Sequence, residues 1–332
     1  MQLFLAHESI DSEGAAWKAN FERTWPNYKQ WFLGEGHALR PGYRSCVEAL
    51  QAHMPELMPI YRQVCEWAGA GDLPARFLAL FNPPPYMTGC TQAIWTREDP
   101  PVLVRNYDYE AHHFEGRVFH TRWLKPVIGV SDCAWGLLDG MNSDGLCASL
   151  TFGGSQTVEH GFGIPLLIRY VLETCSTVEQ AVRAFERIPV HMAYNVSLLD
   201  RSGNHRTLYL TAGGGAKVMQ QAVCANHQVH VEWPAYETTT KTRERQAFAK
   251  AALNNPALSR EELIQCFLTP PLYVLGGNRS FGTLYTTVWE PQSQSMRMLW
   301  PGMQVANGFN PFVPLEFCVD LDAPFDPSIG WV

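Results

Sequence analysis

Asn82-Pro83-Pro84-Pro85-Tyr86-Met87-Thr88-Gly89-Cys90-Thr91-Gln92 marks the point where the texture of this 332-residue chain changes. Three successive prolines remove backbone donors and hold the chain extended, so no helix propagates through them. Upstream the apolar spacing is helical. Trp17, Phe21, Trp25 and Tyr28 recur at three and four residues, with Pro26 expected to bend or divide the run. Cys46, Ala49, Leu50 and His53 continue the pattern, and a third run from Leu57 to Trp67 ends at Gly69 and Gly71.

Downstream the pattern turns strand-like. Ala93–Trp95, Val102–Asn106, Arg117–Leu124, Val127–Ser131, Gly136–Leu138 and Leu146–Phe152 are separated by Gly, Asp and Pro. Asn142-Ser143-Asp144-Gly145 reads as a hairpin turn. Ile164–Cys175 is apolar at helical spacing, and Thr177 with Gln180 predicts a capping box for a helix ending before Pro189. Strands resume at Asn195–Asp200, Thr207–Thr211 and Val218–Val223. Helices follow over Thr242–Leu253 and Glu261–Leu268, and Thr283–Glu290 with Met296–Trp300 forms the last hairpin. Hairpins surrounding central helices imply an α+β plan of stacked sheets covered by helices.

Hydrophobic residues make up 46% and charged residues 17%, and 17 Phe, 12 Tyr and 11 Trp exclude a disordered chain. A net charge of −7 argues against a broad electrostatic grip on nucleic acid. No apolar stretch reaches the ~20 residues that span a bilayer. The opening Met1–Gly14 lacks the basic start of a secretory signal. Nine cysteines are scattered without CxxC spacing, which fits free thiols in a reducing compartment; the cytoplasm is the expected location.

Several familiar sites are missing. No GxxxxGK[ST], HExxH or GxSxG occurs, and Gly213-Gly214-Gly215 reads as a hairpin bend and not a phosphate cradle. His112-His113 is the tightest histidine pair, but strand neighbours point to opposite faces and no third ligand stands nearby, so a solvated loop is the better reading. Neither a metal nor a cofactor is expected. Cys90 is the informative residue. It stands where the proline-stiffened segment meets the first strand, and pairing of 91–96 with 102–107 would bring Arg105 and Asp108 towards it. A thiol needs access and a partner that supports thiolate. Spacing alone fits equally an Arg–Asp pair bracing a hairpin beside an inert cysteine.

Gly89-Cys90-Thr91 followed by Arg105-Asn106-Tyr107-Asp108 resembles the N-terminal-nucleophile (Ntn) hydrolases. The branch is that of the acyl-coenzyme A:6-aminopenicillanic acid acyltransferase, with the choloylglycine hydrolases more distant. Asp139-Gly140-Met141-Asn142 with Gly145-Leu146, then Ala225-Asn226-His227, then Gly282-Thr283-Leu284-Tyr285-Thr286 follow in family order. The resemblance implies a four-layer αββα sandwich with a helical N-terminal leader, divided as residues 1–89 and 90–332. It implies self-cleavage between Gly89 and Cys90, after which the freed α-amine serves as the base for the thiol. Arg105 would lie beside the sulfur, Asp108 would hold the amine, and the Asn226 amide would face the oxyanion. A second oxyanion donor is expected from the backbone near Thr151, where choloylglycine hydrolases carry Asn. Arg279 is the candidate for a late family arginine, with Arg297 competing. The substrate implied is a small-molecule amide, with an acyl-CoA or amine acceptor and a homo-oligomer left open, and neither nucleic acid nor membrane as partner. The competing readings are a papain-type protease using Cys90, His227 and an Asn, and an unprocessed binding protein on the same fold.

Overall fold

The hairpin expected after the prolines forms: Gly89–Trp95 pairs antiparallel with Val102–Tyr109, setting Cys90 opposite Tyr107 and Gly89 opposite Asp108. The computed structural model describes residues 1–98, 100–275 and 281–322. In chain order its elements are β1 (Gln2–Ser9) and helices α1 (Ala15–Leu33), α2 (Tyr43–His53), α3 (Met58–Trp67) and α4 (Asp72–Leu78). Next come β2 (Gly89–Trp95), β3 (Val102–Tyr109), β4 (Arg117–Arg122), β5 (Pro126–Asp132), β6 (Gly136–Asn142) and β7 (Cys147–Phe152). Helices α5 (Ile164–Thr174) and α6 (Val178–Arg187) lead to β8 (Tyr194–Leu199), β9 (His205–Leu210), β10 (Ala216–Met219) and β11 (Val223–Cys224). Helices α7 (Pro234–Thr240), α8 (Thr242–Asn254) and α9 (Arg260–Cys266) precede β12 (Gly282–Glu290), β13 (Ser295–Trp300), β14 (Met303–Gly308) and β15 (Leu315–Asp320).

Two sheets result. One has nine strands in the order β10-β9-β8-β7-β6-β5-β4-β1-β15, the other six in the order β11-β2-β3-β12-β13-β14. The alternation of strand side chains sorts them into layers. On β2 and β3, Cys90, Ile94, Leu103 and Tyr107 join Val118, Ile128, Val130 and Leu138 of the larger sheet in a core between the sheets. Ala93, Trp95, Val102 and Val104 take the opposite face and pack on Ala249 of α8 and Leu263 and Ile264 of α9. Helix α5 lies on β6 and β7 of the larger sheet. The order helix, sheet, sheet, helix is the four-layer sandwich expected from the sequence.

The upstream segment is not wholly helical. β1 lies between β4, to which it is parallel, and β15, to which it is antiparallel. Leu3 and Leu5 point into the core while Phe4 is exposed, a period of two that three successive apolar residues hide. Helices α1 to α4 share a second core with α5, in which Trp17, Phe21, Leu50 and Tyr61 meet Trp135 and Ile164. Helix α1 runs unbroken through Pro26, contrary to the expected division. Thr177 caps α6 by accepting from the Gln180 N–H, but the Gln180 side chain accepts from Ser176 N–H, one residue earlier than the expected box.

Candidate active site

Cys90 is the second residue of β2 and is fully buried. Its Sγ faces the larger sheet, 3.2 Å from Arg105 Nη2 and 3.5 Å from Thr88 Oγ1. Arg105 reaches it from β3 because positions 105 and 107 share a face. The guanidinium is fixed from the far side: its Nη1 donates to Asp139 Oδ2 at 2.8 Å and to Tyr285 OH at 2.9 Å, and its plane stands over Tyr107 at 4.8 Å. Thr287 donates to the same Asp139 oxygen at 3.1 Å. Burial pushes the Cys90 thiol up, and the Arg105 charge pulls it down. Burial also raises the Asp139 carboxyl against the pull of Arg105.

Asp108 lies three residues after Arg105 and therefore projects to the other face of β3, under α8. Arg245 Nη1 donates to Asp108 Oδ2 at 3.1 Å, to the Cys90 carbonyl at 2.8 Å and to Thr91 Oγ1 at 2.6 Å. Its Nη2 donates to Asn226 Oδ1 at 2.8 Å. The same oxygen accepts from the Cys90 backbone N–H, also at 2.8 Å. Thr283 donates to Asp108 Oδ1 at 2.6 Å. Burial raises the Asp108 carboxyl, with Arg245, the Thr283 hydroxyl and Arg105 opposing. Sulfur and backbone nitrogen of one residue thus each meet polar partners, on opposite faces of the sheet. Two cations, Arg105 and Arg245, offset two carboxylates, Asp108 and Asp139, which makes burial of all four tolerable.

The segment before Cys90 is held tightly. Thr88 carbonyl accepts from Asn226 Nδ2 at 3.1 Å and from Tyr236 OH at 2.7 Å. A Cβ on Gly89 would lie 2.8 Å from the Phe281 ring and 3.0 Å from Asp108 Cβ, so the close approach of β2 to β3 there admits only glycine without displacement. Asn226 stands in a loop after β11 that two side chains clamp: Thr151 Oγ1 and Asn195 Nδ2 both donate to the Ala225 carbonyl, at 3.0 and 2.7 Å. Asn226 Nδ2 is also 3.3 Å from the Phe152 carbonyl.

A sequence profile described as acyl-coenzyme A:6-aminopenicillanic acid acyl-transferase matches residues 95–304, more than half of the chain. The chain belongs to that family. Membership makes it an enzyme of the Ntn hydrolase and acyltransferase class, acting on carbon–nitrogen bonds. The acyltransferase-family fold is shared with a variant of the conjugated bile acid hydrolase from Clostridium perfringens, at TM-score 0.50 and 12% identity over 69% of this chain and 96% of that one. Penicillin V acylase from Agrobacterium tumefaciens aligns at TM-score 0.46 and 17% identity, covering 67% of this chain and 87% of its own. The Caenorhabditis elegans ortholog of N-acylethanolamine-hydrolyzing acid amidase aligns at 0.43 and 16%, covering 64% and 99%. No curated protein sequence matches the chain.

Within this acyltransferase-family chain, Cys90, Arg105, Asp108 and Asn226 lie in one cluster, with Arg245 linking the last two. Thr151 meets the cluster through its side chain, on the Asn226 loop. Arg279 lies outside the described residues. Arg297 is elsewhere, paired with Glu261 at 3.1 Å and Glu290 at 3.3 Å. His227 Nδ1 faces Thr242 Oγ1 at 3.0 Å, and the Cys90 sulfur has no histidine partner among the described residues. His112 and His113 sit in an exposed 3-10 turn, in keeping with the solvated loop expected. Their rings are nevertheless 3.9 Å apart and do not point to opposite faces, and Glu110 is the third ligand type that the sequence reading found missing. With Glu110 their ligand atoms lie within 4.8 Å of one another at the surface.

Sequence reasoning missed Arg245 and Tyr236, and it quoted Asp139, Thr283 and Tyr285 within motifs without giving them a role. A signal for Arg245 exists. Thr242, Arg245, Gln246 and Ala249 form the buried stripe of α8 at helical spacing, so an arginine stands where an apolar residue is expected. A buried arginine on such a stripe requires acidic and carbonyl partners, which β2 and β3 supply.

No helix among the described residues is long and apolar enough to cross a membrane.

Proposed function

We propose that this family member is a self-processing cysteine amidohydrolase or acyltransferase, with Cys90 as nucleophile and the bond between Gly89 and Cys90 as its first substrate. The carrying observation is the division of labour around Cys90: Arg105 at the sulfur, and Asn226 with Arg245 and Asp108 at the nitrogen and its flanking backbone.

In the first step the thiol attacks the Gly89 carbonyl. A C–S bond forms, the C–N bond breaks, and the thiol proton passes to the departing nitrogen. Water then hydrolyses the thioester, leaving Gly89 as a carboxylate and Cys90 with a free α-amine. Such an amine has an ordinary pKa of about 7.7–8.0, close to the range in which a general base works best. One residue then carries both nucleophile and base. Arg105 favours the thiolate that burial disfavours. Asp108 and Asn226 Oδ1 accept from the new ammonium.

Once the Thr88 carbonyl withdraws, Asn226 Nδ2 becomes available to an oxyanion, with the Thr151 backbone N–H as second donor. A small-molecule amide would then acylate Cys90, and water or an amine would take the acyl group; an acyl-CoA would load the same thioester. Residues 1–89 form the small chain and 90–332 the catalytic one. Nine unpaired cysteines fit a reducing compartment such as the cytoplasm.

Intact-mass analysis with N-terminal sequencing tests the reading. Two species meeting at Gly89/Cys90 are expected, and one from Cys90→Ala. A single uncut mass for the unmutated protein would overturn self-processing.

A further inference from the structure

A small cleft of about 130 Å3 lies between α1 and the end of β3. Tyr28 and Trp31 of α1 and Tyr86 of the proline segment form one wall, Tyr107 and Tyr109 the other, and Asp132 at the end of β5 closes it. Tyr107 is the register partner of Cys90, so the two side chains share the inter-sheet face with Cα atoms about 5 Å apart. The Tyr107 side chain therefore borders both the cleft and the buried Cys90, which does not itself line the cleft.

Two features of the lining are not accounted for by folding. Asp132 is 9% exposed, and no cation lies within ion-pair distance of it among the described residues. Its Oδ1 lies 3.2 Å from Tyr28 OH, whose one proton goes to the nearer Glu115 Oε1 at 2.6 Å. Its other contacts are the Cys133 backbone N–H and the weak Cys133 thiol, 3.8 Å from Oδ2. The neighbouring carboxylate, Glu115, is by contrast saturated: it accepts from Asn20, Tyr28, Ser131 and the Ala134 N–H at 2.6 to 2.8 Å. Arg23, the guanidinium on the rim, donates to Asn20 and the Glu115 carbonyl and not to either carboxylate. Burial, then the Glu115 charge, push the Asp132 carboxyl up to about 7. The second feature is Tyr107 itself. It is 2% exposed and lines the cleft, yet its hydroxyl has no hydrogen-bond partner among the described residues.

A buried carboxylate lacking a counter-charge, walled by tyrosine and tryptophan rings, is the arrangement that binds an organic cation. The carboxylate supplies charge and the ring faces supply cation–π attraction. We infer that this cleft seats a protonated amine of the substrate: the amide attacked by Cys90 bears an ammonium group in its acyl part, which rests on Asp132 and donates to Tyr107 OH. The inference rests on the reading of Cys90 as acyl carrier and adds the substrate class to it.

The test compares 6-aminohexanoyl anilide with heptanoyl anilide, which has a methyl where the first has its ammonium. Calorimetric titration of the processed protein with its Cys90 thiol capped by methyl methanethiosulfonate, which binds without turnover, should show the ammonium compound bound about tenfold tighter or more. Asp132→Asn in that background should abolish the preference, and Glu115→Gln at the saturated carboxylate should keep most of it. Equal affinities, tighter binding of the heptanoyl compound, or binding of neither would overturn the inference. Turnover by the unmutated protein separates the two readings. Hydrolysis of the heptanoyl compound alone would sink the ammonium site and leave the amidase standing. Ammonium-selective binding without hydrolysis of either would do the reverse.

Discussion

Asn226 Oδ1 lies 2.8 Å from the Cys90 backbone nitrogen and 2.8 Å from Arg245 Nη2. Its orientation is therefore fixed by two donors, and the amide Nδ2 is left facing the Thr88 carbonyl. Replacing Asn226 with Ala removes both the nitrogen's acceptor and the proposed oxyanion donor. Processing should slow by about 10²–10³, the usual effect of losing one such donor. A time course of intact mass on freshly folded protein measures it, and an unchanged half-time would refute the role.

Arg245 is the sole cation within ion-pair distance of Asp108 among the described residues. Arg245→Met strands a buried carboxylate, and a cost of about 3–5 kcal/mol in urea unfolding is expected. Asp108→Asn in the same chain should restore part of that loss. Arg245→Lys should not substitute, because a single ammonium cannot reach Asp108, Asn226, Thr91 and the Cys90 carbonyl at once.

Gly89 is barred from carrying a side chain by space and not by backbone conformation, since its φ is not among the positive values. Gly89→Ala should force Phe281 or Asp108 aside, with a loss of about 1–3 kcal/mol. Cleavage at that bond should be slower than in the parent. Densitometry of the two fragments reads this directly, and parental cleavage kinetics would count against it.

His7, His120 and His191 are buried, and burial lowers each to about 4 from 6.5. Each unfolded imidazole binds a proton that its folded form refuses. Their contribution is complete above pH 6.5 and is lost as pH falls towards 4, on the order of 3 kcal/mol apiece at most. Asp132 has the opposite sign. Its folded carboxyl is raised to about 7 from 3.8, so its stability contribution is lost as pH rises across that interval. Asp132→Asn should consequently gain thermal stability at pH 8 and little at pH 4, while His191→Gln should flatten the acid limb. Parallel melting-temperature profiles for parent and variants would disprove both assignments.

The β2–β3 hairpin was legible because proline punctuation and a period of two leave little choice for residues 89–109. The order of the later motifs was enough to find Asn226 from 136 residues away. Two things were not legible. Alternation puts Arg105 and Asp108 on opposite faces of β3, but which face turns to the other sheet and which to the helices follows only from the tertiary packing. Arg245 stands 137 residues from Asp108, and the helical stripe that marks it as buried does not say which carboxylate it meets. β1, β14 and β15 escaped for a related reason: they are partly exposed strands whose pairing is settled by distant neighbours.

The place of β1, between β4 and β15, bears on what cutting the chain would mean. As a tether, the peptide at Gly89 keeps the first strand at high local concentration while the sheet assembles. Severed, the two pieces would stay interleaved, but regaining that state after complete unfolding would require a bimolecular encounter. Maturation would make folding a one-way event, with the nicked particle surviving by slow unfolding and not by ready return.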